Sequence, residues 1–396
     1  MKISMISDEH FPFRGADTEV IVNTAAALGA QGAKVYLLTP NLWHQKKSTS
    51  EICAYYGVTE SFEHVPIFNP FPPERKLRLQ SFIHGFNCLA SRVYWQSDVV
   101  HTRDFIPLGL NHLLRRPWSF ETYRRHAQEK PWIKAFTQSL NLKRAIGAIA
   151  HSEQSMHDLV SLGFDSSQVI VARPGFNQTS FEKALIPKDQ ARAILGLDPK
   201  AKIAGYIGNI GAGKGVESCI QALAPLKSKG ILALIVGGSD QEVGQLKQSF
   251  QIAENDPNLI LTGHQPSAKI PLYLSACDVL LIPPLERNSR GWLLDCILPT
   301  VLPGTPLKIY SYWASQRVIV AADQIHSTEL LKHKQTAYLY DPNQIDQFSQ
   351  AIQDAFDQPR LSEQIVANAY QQVMHMTYEQ RAKQILAFYE RRLSCR

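Results

Sequence analysis

"GYIGNIGAGKGVESCIQAL", residues Gly205 to Leu223, joins an apolar run to a helical one through a turn carrying Gly208, Gly211, Gly213 and Gly215. Upstream, "AKIAGYIG" reads as a buried strand. Downstream, Val216, Cys219, Ile220, Leu223 and Leu226 recur at helical spacing, with Pro225 set to bend or end that helix. The glycines let backbone N–H groups approach a ligand closely, and the helix N-terminus behind them favours an anion. Lys214 adds a point charge, so the turn reads as a phosphate seat. Gly208, four residues, Gly213 and Lys214 fill the template of a nucleoside triphosphatase loop, but Gly215 stands where a hydroxyl would hold magnesium. No clear second strand presents a metal-binding Asp. A tight strand–helix turn with no ligand is the remaining alternative.

Around this turn the chain repeats one pattern, short β-rich runs separated by helical stretches, which predicts parallel α/β sheets. The first half holds "KISMIS", "KVYLLT", "DVVH", "WSFET", "AIGAIAHS" and "QVIVARPG"; the second holds "AKIAGYIG", "LALIVGG", "LILTG", "CDVLLIPP", "RVIVAAD" and "AYLYD". Six strands apiece suffice for two doubly wound, Rossmann-like sheets. Between them "FNQTSFEKALIPKDQARAILGLDPKA" is polar and strandless, which puts the boundary near Pro187. The expected organisation is therefore 1–186, 187–374 and a terminal segment 375–396. In that segment Ile385, Leu386, Phe388, Tyr389 and Leu393 mark an amphipathic helix able to cap either domain, the first included.

Bulk properties narrow the class. At 396 residues, with 44% hydrophobic and 19% charged, the chain suits a two-domain globular enzyme. Its six cysteines are scattered without a C-x-x-C pair, which favours reduced thiols in a cytoplasm and disfavours a zinc site. No apolar run reaches the ~20 residues of a membrane span, and the start lacks a secretory apolar region. The net charge of +6 is uneven: Val65 to Ala150 carries 13 Lys/Arg against 5 Asp/Glu. Aromatics lie among these charges, in "RVYW" and "RRPWSFETYRRH", as on a face for anionic headgroups or an anionic substrate. An ordinary solvated surface has the same composition.

The glycine turn resembles a motif of the bacterial family 4 glycosyltransferases, which are retaining enzymes of the two-domain GT-B type. Their second domain carries a strand, G-R-x-x-x-x-K-G and a helix; Gly208, Lys214 and Gly215 fill this pattern, with Asn209 where Arg is usual. Four further stretches are similar in the same order. These are Phe13 to Pro40, "HSEQSMHDLVSLGF" with "VIVARPGFN", Leu261 to Pro284, and "TPLKIYSYWASQRVIVAAD" from Thr305 to Asp323.

The resemblance implies an active site in a cleft between the two sheets, with a nucleotide-diphosphate sugar on the second domain and the acceptor on the first. Helix N-termini and basic side chains would stabilise the departing diphosphate with no obligatory metal and no cofactor; the sequence contains no D-x-D. The donor-side residues so implied are Gly15, Gly208, Asn209, Lys214, Gly215, His264, Thr305, Pro306, Leu307, Lys308 and Ser311. Lys308 is the candidate to replace the missing Arg. Two glutamates that relatives place eight positions apart align with Pro303 and Ser311, so Glu286, Asp295 or a backbone group would have to serve the donor sugar instead. For acid–base work near the acceptor, His126, His101 and Glu121 follow or end apolar strands, where open α/β sheets place ligands. Arg14, Arg103, Arg124 and Arg125 are candidates to grip an anionic acceptor. Glu153, after Ser152, reads as a helix cap rather than a catalyst.

Glycan or lipid-linked envelope acceptors are what the family implies, with work in the cytoplasm, a peripheral contact at the inner membrane face through the basic first domain, and no nucleic acid. A GT-B epimerase or phosphorylase is the enzymatic rival. A non-catalytic sugar-nucleotide sensor is the other, and the two lost carboxylates are its support.

Overall fold

The computed structural model describes residues 1–13, 15–41, 47–71, 78–122, 131–211, 213–253, 256–285, 306–324 and 329–395. These divide into two compact units, Met1–Ser180 with Thr377–Arg396, and Phe181–Met376.

The first unit is built on a seven-stranded sheet in the order β3-β2-β1-β4-β5-β6-β7. Its strands are β1 Lys2–Ile6, β2 Lys34–Asn41, β3 Glu63–Phe68, β4 Val99–Thr102, β5 Trp118–Thr122, β6 Gly147–Ala150 and β7 Val169–Val171. Every pairing is parallel. Strands covered on both faces need apolar side chains at consecutive positions, and β4, β5 and β6 are buried at every residue. The sequence reading missed β3. It lies at the sheet edge, is mostly only partly buried, and contains Pro66, whose missing N–H an edge strand tolerates.

The terminal helix Tyr378–Ser394 packs on this unit, against the helix Ala16–Ala30. Its entry is pinned by the Tyr378 N–H donating to the Phe176 carbonyl at 3.1 Å. Gly147 in β6 makes room for it, since a Cβ there would lie 2.3 Å from the Phe388 ring.

The second unit has six parallel strands in the order β10-β9-β8-β11-β12-β13. They are β8 Lys202–Ile207, β9 Ile231–Val236, β10 Leu259–Leu261, β11 Val279–Ile282, β12 Val318–Ala322 and β13 Tyr338–Tyr340. One core runs through it, from Tyr206, Val216 and Ile220 to Val320, Phe348 and Ile365. The order reverses between β8 and β11, and the glycine turn follows β8. It therefore lies at the switch point, where such sheets bind ligands beyond their strand ends. Pro225 acts as expected: the helix Val216–Leu223 gives way to a 3-10 turn, Ala224–Lys229. No helix among the described residues is long and apolar enough to cross a membrane.

Candidate functional site

In the second unit, the turns that end β8, β9 and β10 pack backbone to backbone. The Gly208 N–H donates to the Val236 carbonyl at 2.9 Å, and the Gly237 N–H donates to the Gly263 carbonyl at 2.9 Å. A Cβ on Gly237 would fall 1.9 Å from the Gly208 carbonyl oxygen, so any side chain there would push the turns apart. Gly215 caps the helix Val216–Leu223 at φ 69°, in the left-handed region, and a Cβ there would meet the Pro284 carbonyl at 2.2 Å. The glycines at 215 and 237 thus hold this turn's backbone close to its neighbours next to the first turn of a helix, where the Ser218 N–H donates to the Gly215 carbonyl at 3.1 Å and the N–H groups before it have no partners within the helix. Asn209 and Lys214 are exposed on this turn.

The helix Lys308–Ala314 brings in a second cation. Its Tyr312 hydroxyl sits between the backbone groups of Ile207, accepting from the N–H at 2.8 Å and donating to the carbonyl at 3.0 Å. One helical turn earlier on the same face, Lys308 is carried to the turn after β8. Its Nζ lies 3.8 Å from the Tyr206 ring centroid, and a Cβ on Gly208 would come within 2.8 Å of it. Tyr206 in turn donates its hydroxyl to the Asn209 carbonyl at 2.5 Å. Burial lowers the Lys308 ammonium to a pKa of about 7, and the charge of Lys214 pushes it the same way. Tyr206 and Tyr312 were not singled out by sequence; the only signal was their place, at the end of an apolar strand and four residues after a lysine.

The other expected donor residues are dispersed around this turn. Pro306 and Leu307 form the start of the Lys308 helix, accepting from the Ile309 and Tyr310 N–H groups at 3.1 and 3.2 Å. Ser311 donates its hydroxyl back to the Lys308 carbonyl at 3.1 Å, leaving its oxygen lone pairs to accept. His264 is exposed just after β10. Thr305, Pro303, Glu286 and Asp295 lie outside the described residues. In the first unit, Gly15 caps the helix Ala16–Ala30 with φ −140°, and its carbonyl accepts from Thr18 Oγ1 at 2.8 Å.

The acid–base candidates of the first unit form a buried network. Glu121, at the end of β5, accepts from Arg381 Nη2 at 2.6 Å and lies 2.8 Å from His151 Nε2. His101 Nε2 is 3.3 Å from the same carboxylate, while its Nδ1 meets the Tyr389 hydroxyl at 2.7 Å. Burial alone would raise the Glu121 carboxyl; Arg381 first, then His151 and His101, hold it well below the usual carboxylate range. Burial lowers His151 to about 4 against the pull of Glu121, so this imidazole is neutral at pH 7. His101 and Glu121 are each 1% exposed. A group that moves a substrate's proton must reach it within hydrogen-bond distance. In this arrangement the pair ties β4 and β5 to the terminal helix.

Arg103 is similarly engaged, with Nη2 3.2 Å from Asp17 Oδ1 and Nε 4.0 Å from Glu121. His126, Arg14, Arg124 and Arg125 lie outside the described residues. Ser152 caps its helix with Ser155, not Glu153. Its hydroxyl accepts from the Ser155 N–H at 3.2 Å, and Glu153 pairs with Arg173 at 3.7 Å.

Two parallel-sheet units of this kind, with a phosphate-type turn at the switch point of the second, define a GT-B protein. Residues 187–372 match the family model described as Glycosyl transferases group 1, and residues 18–179 match Glycosyltransferase Family 4. The chain belongs to the family 4 glycosyltransferases. It is 26% identical over 173 residues to 2-deoxystreptamine glucosyltransferase of Streptomyces kanamyceticus, and that match spans 43% of each protein, less than half of the relative's length. Among solved structures it is similar to the sucrose-phosphate synthase of Thermosynechococcus elongatus, with TM-score 0.75, 18% identity and 100% of both chains covered. It is also similar to Anabaena HepE in complex with UDP and glucose, with TM-score 0.73, 16% identity and 98% of each chain covered.

Proposed function

We propose that this protein is a retaining glycosyltransferase that moves a sugar from a nucleotide-diphosphate sugar to a glycan, lipid-linked or small-molecule acceptor in the cytoplasm. The donor binds the second unit and the acceptor the first. Backbone N–H groups at the start of the helix Val216–Leu223, with Lys214 and Lys308, stabilise the diphosphate as it leaves, and no metal takes part in the step. The observation that carries this reading is the Lys308 ammonium brought beside Gly208, 3.8 Å from the Tyr206 ring, in a turn whose usual arginine is Asn209. A solved neighbour holds UDP and glucose, which supports the choice of donor class.

Departure of the diphosphate and attack by the acceptor hydroxyl occur on the same face of the sugar. His126 is the residue we assign to the acceptor side of the reacting sugar, with Arg14, Arg124 and Arg125 to grip an anionic acceptor. His101, Glu121 and Arg103 hold the ends of β4 and β5. Ser311 accepts from a donor hydroxyl in place of a carboxylate.

The test is incubation with UDP-, GDP- and ADP-sugars in the presence of a chelator. Transfer or slow hydrolysis with release of the nucleoside diphosphate supports the reading; inversion at C2 identifies an epimerase. Binding without turnover supports the non-catalytic relative, a reading favoured by one observation, the absence of a carboxylate at Pro303 and Ser311.

A further inference from the structure

The first sheet has a switch point of its own. Its strand order reverses between β1 and β4, where open α/β sheets leave a crevice beyond the strand ends. These two strands are paired with Ile6 opposite Thr102, and two residues after each comes an aspartate, Asp8 and Asp104. The register therefore sets the two side by side, and the Asp8 N–H donates to Asp104 Oδ2 at 3.3 Å. Asp104 precedes the helix Phe105–Leu113 but does not cap it with its side chain, which is turned to Asp8 instead. Asp8 Oδ2 accepts from the Ser81 hydroxyl at 2.5 Å. Both aspartates are half-buried, and among the described residues neither Oδ1 accepts a hydrogen bond.

The pair lacks a counter-ion. Burial first, then the charge of Asp8, pushes the Asp104 carboxyl well above the usual range, with Glu9 adding to the effect. Arg103 opposes the shift, but it is paired with Asp17 and Glu121. Burial holds His84, the imidazole that feels the Asp8 charge, neutral with a pKa of about 4. A cation bound between the aspartates would reverse the shift of Asp104.

An independent sign comes from Gln80, on the helix Arg78–Cys88. Its Nε2 donates to the Asp8 carbonyl at 3.5 Å, while its Oε1 has no partner among the described residues although Gln80 is only 4% exposed. A buried amide oxygen without a donor is destabilising. Three oxygens around Asp8 thus have no donor: one from each aspartate and one from Gln80. A primary ammonium offers three N–H donors, no acceptor and one positive charge. A pair of sugar hydroxyls would bring donors but no charge. No group of His, Cys, Asp and Glu among the described residues could hold a metal ion.

We infer that the crevice between Asp8 and Asp104 binds the ammonium group of an amino sugar that serves as acceptor. This rests on the transferase reading, which places the acceptor on the first unit, and it adds an amine to the anionic group assigned to the arginines.

The experiment is calorimetric titration of glucosamine, glucose and N-acetylglucosamine into the full chain, with UDP, GDP and ADP titrated separately. Glucosamine should bind at least tenfold more tightly than either neutral sugar, from hydrogen bonds to charged groups. Asp8→Asn and Asp104→Asn should each remove about tenfold of that preference and leave nucleoside diphosphate affinity and the circular dichroism spectrum unchanged. The comparison of charged with neutral sugars on the wild type needs no variant to fold. The inference is overturned if glucosamine binds no better than glucose, or if folded variants keep the preference. It is also overturned if Mn²⁺ binds the wild type but neither variant, since the carboxylates then serve a metal. Failure of every nucleoside diphosphate to bind would instead sink the transferase reading.

Discussion

Lys308 is the residue whose chemistry departs furthest from what its letter suggests. Burial beside Tyr206 lowers its pKa to about 7, so its charge is lost as pH rises through neutrality, and in the proposed reading that is the charge a diphosphate meets. A departing anion binds the protonated form, and affinity for UDP, GDP or ADP should therefore fall as pH is raised from ~6 to ~9. Lys308→Met should remove that pH dependence and weaken binding at low pH by about 1.5–3 kcal/mol, the range for hydrogen bonds to charged groups. Lys214→Ala should lose a similar amount while keeping the pH dependence; isothermal titration separates the two. The folded state also feels the shift. Between pH 7 and the ordinary lysine value of 10.5 the unfolded chain holds the proton and the folded chain does not. Stability of the second unit should therefore rise with pH across that window, and less so in Lys308→Met. The sequence offered Lys308 as a cation, but its environment depends on Tyr312 gripping Ile207, a contact between residues 105 positions apart. Spacing within one helix does not reveal such a contact.

At the scale of elements, the terminal helix acts as a strap across the first sheet, and Arg381 is its deepest point. It donates to Glu121, Thr24 and the Ala172 carbonyl. Arg381→Met leaves the Glu121 carboxylate buried without its guanidinium and should cost about 3–5 kcal/mol. Adding Glu121→Gln should restore part of that loss, measured by urea unfolding of the first unit. Acid acts on the same network. His151 is neutral with a pKa near 4 and Glu121 is held below its usual range, so the unfolded state binds more protons than the folded one as pH falls below about 6.5. Stability should be full at neutral pH and decline through that interval, and His151→Gln should flatten the upper part of the decline.

Gly147→Ala tests the packing directly. Its methyl would meet Phe388 at 2.3 Å and the Gln168 carbonyl oxygen at 2.5 Å, so Phe388→Leu should relieve only part of the cost. The amphipathic pattern of this helix was legible from Ile385, Phe388 and Tyr389. Its partner was not, because Arg381 and Glu121 are 260 residues apart. Strand β3 escaped for the opposite reason. An edge strand needs neither a full apolar run nor every N–H, and so Pro66 hid it.

At the scale of the whole molecule, the chain order and the units differ: the second unit is an insertion between Ser180 and Thr377 of the first. The twelve β-rich runs and the glycine turn were readable because buried parallel strands demand continuous apolar stretches, and a close backbone approach demands glycine. The acceptor side was far less readable, since charged side chains such as Arg103 have the same letters whether they meet a substrate or Asp17.

The account rests on a leaving diphosphate held by Lys214, Lys308 and backbone N–H groups without a metal. The most direct measurement is calorimetric titration of nucleoside diphosphates into the full chain at pH ~6 with a chelator present, using wild type and the Lys214→Ala/Lys308→Met pair. We predict binding of at least one diphosphate by the wild type, unchanged by the chelator, and a loss of about 3–6 kcal/mol in the pair if the two lysines act independently. Binding that requires magnesium, or that survives loss of both lysines, would contradict the assignment.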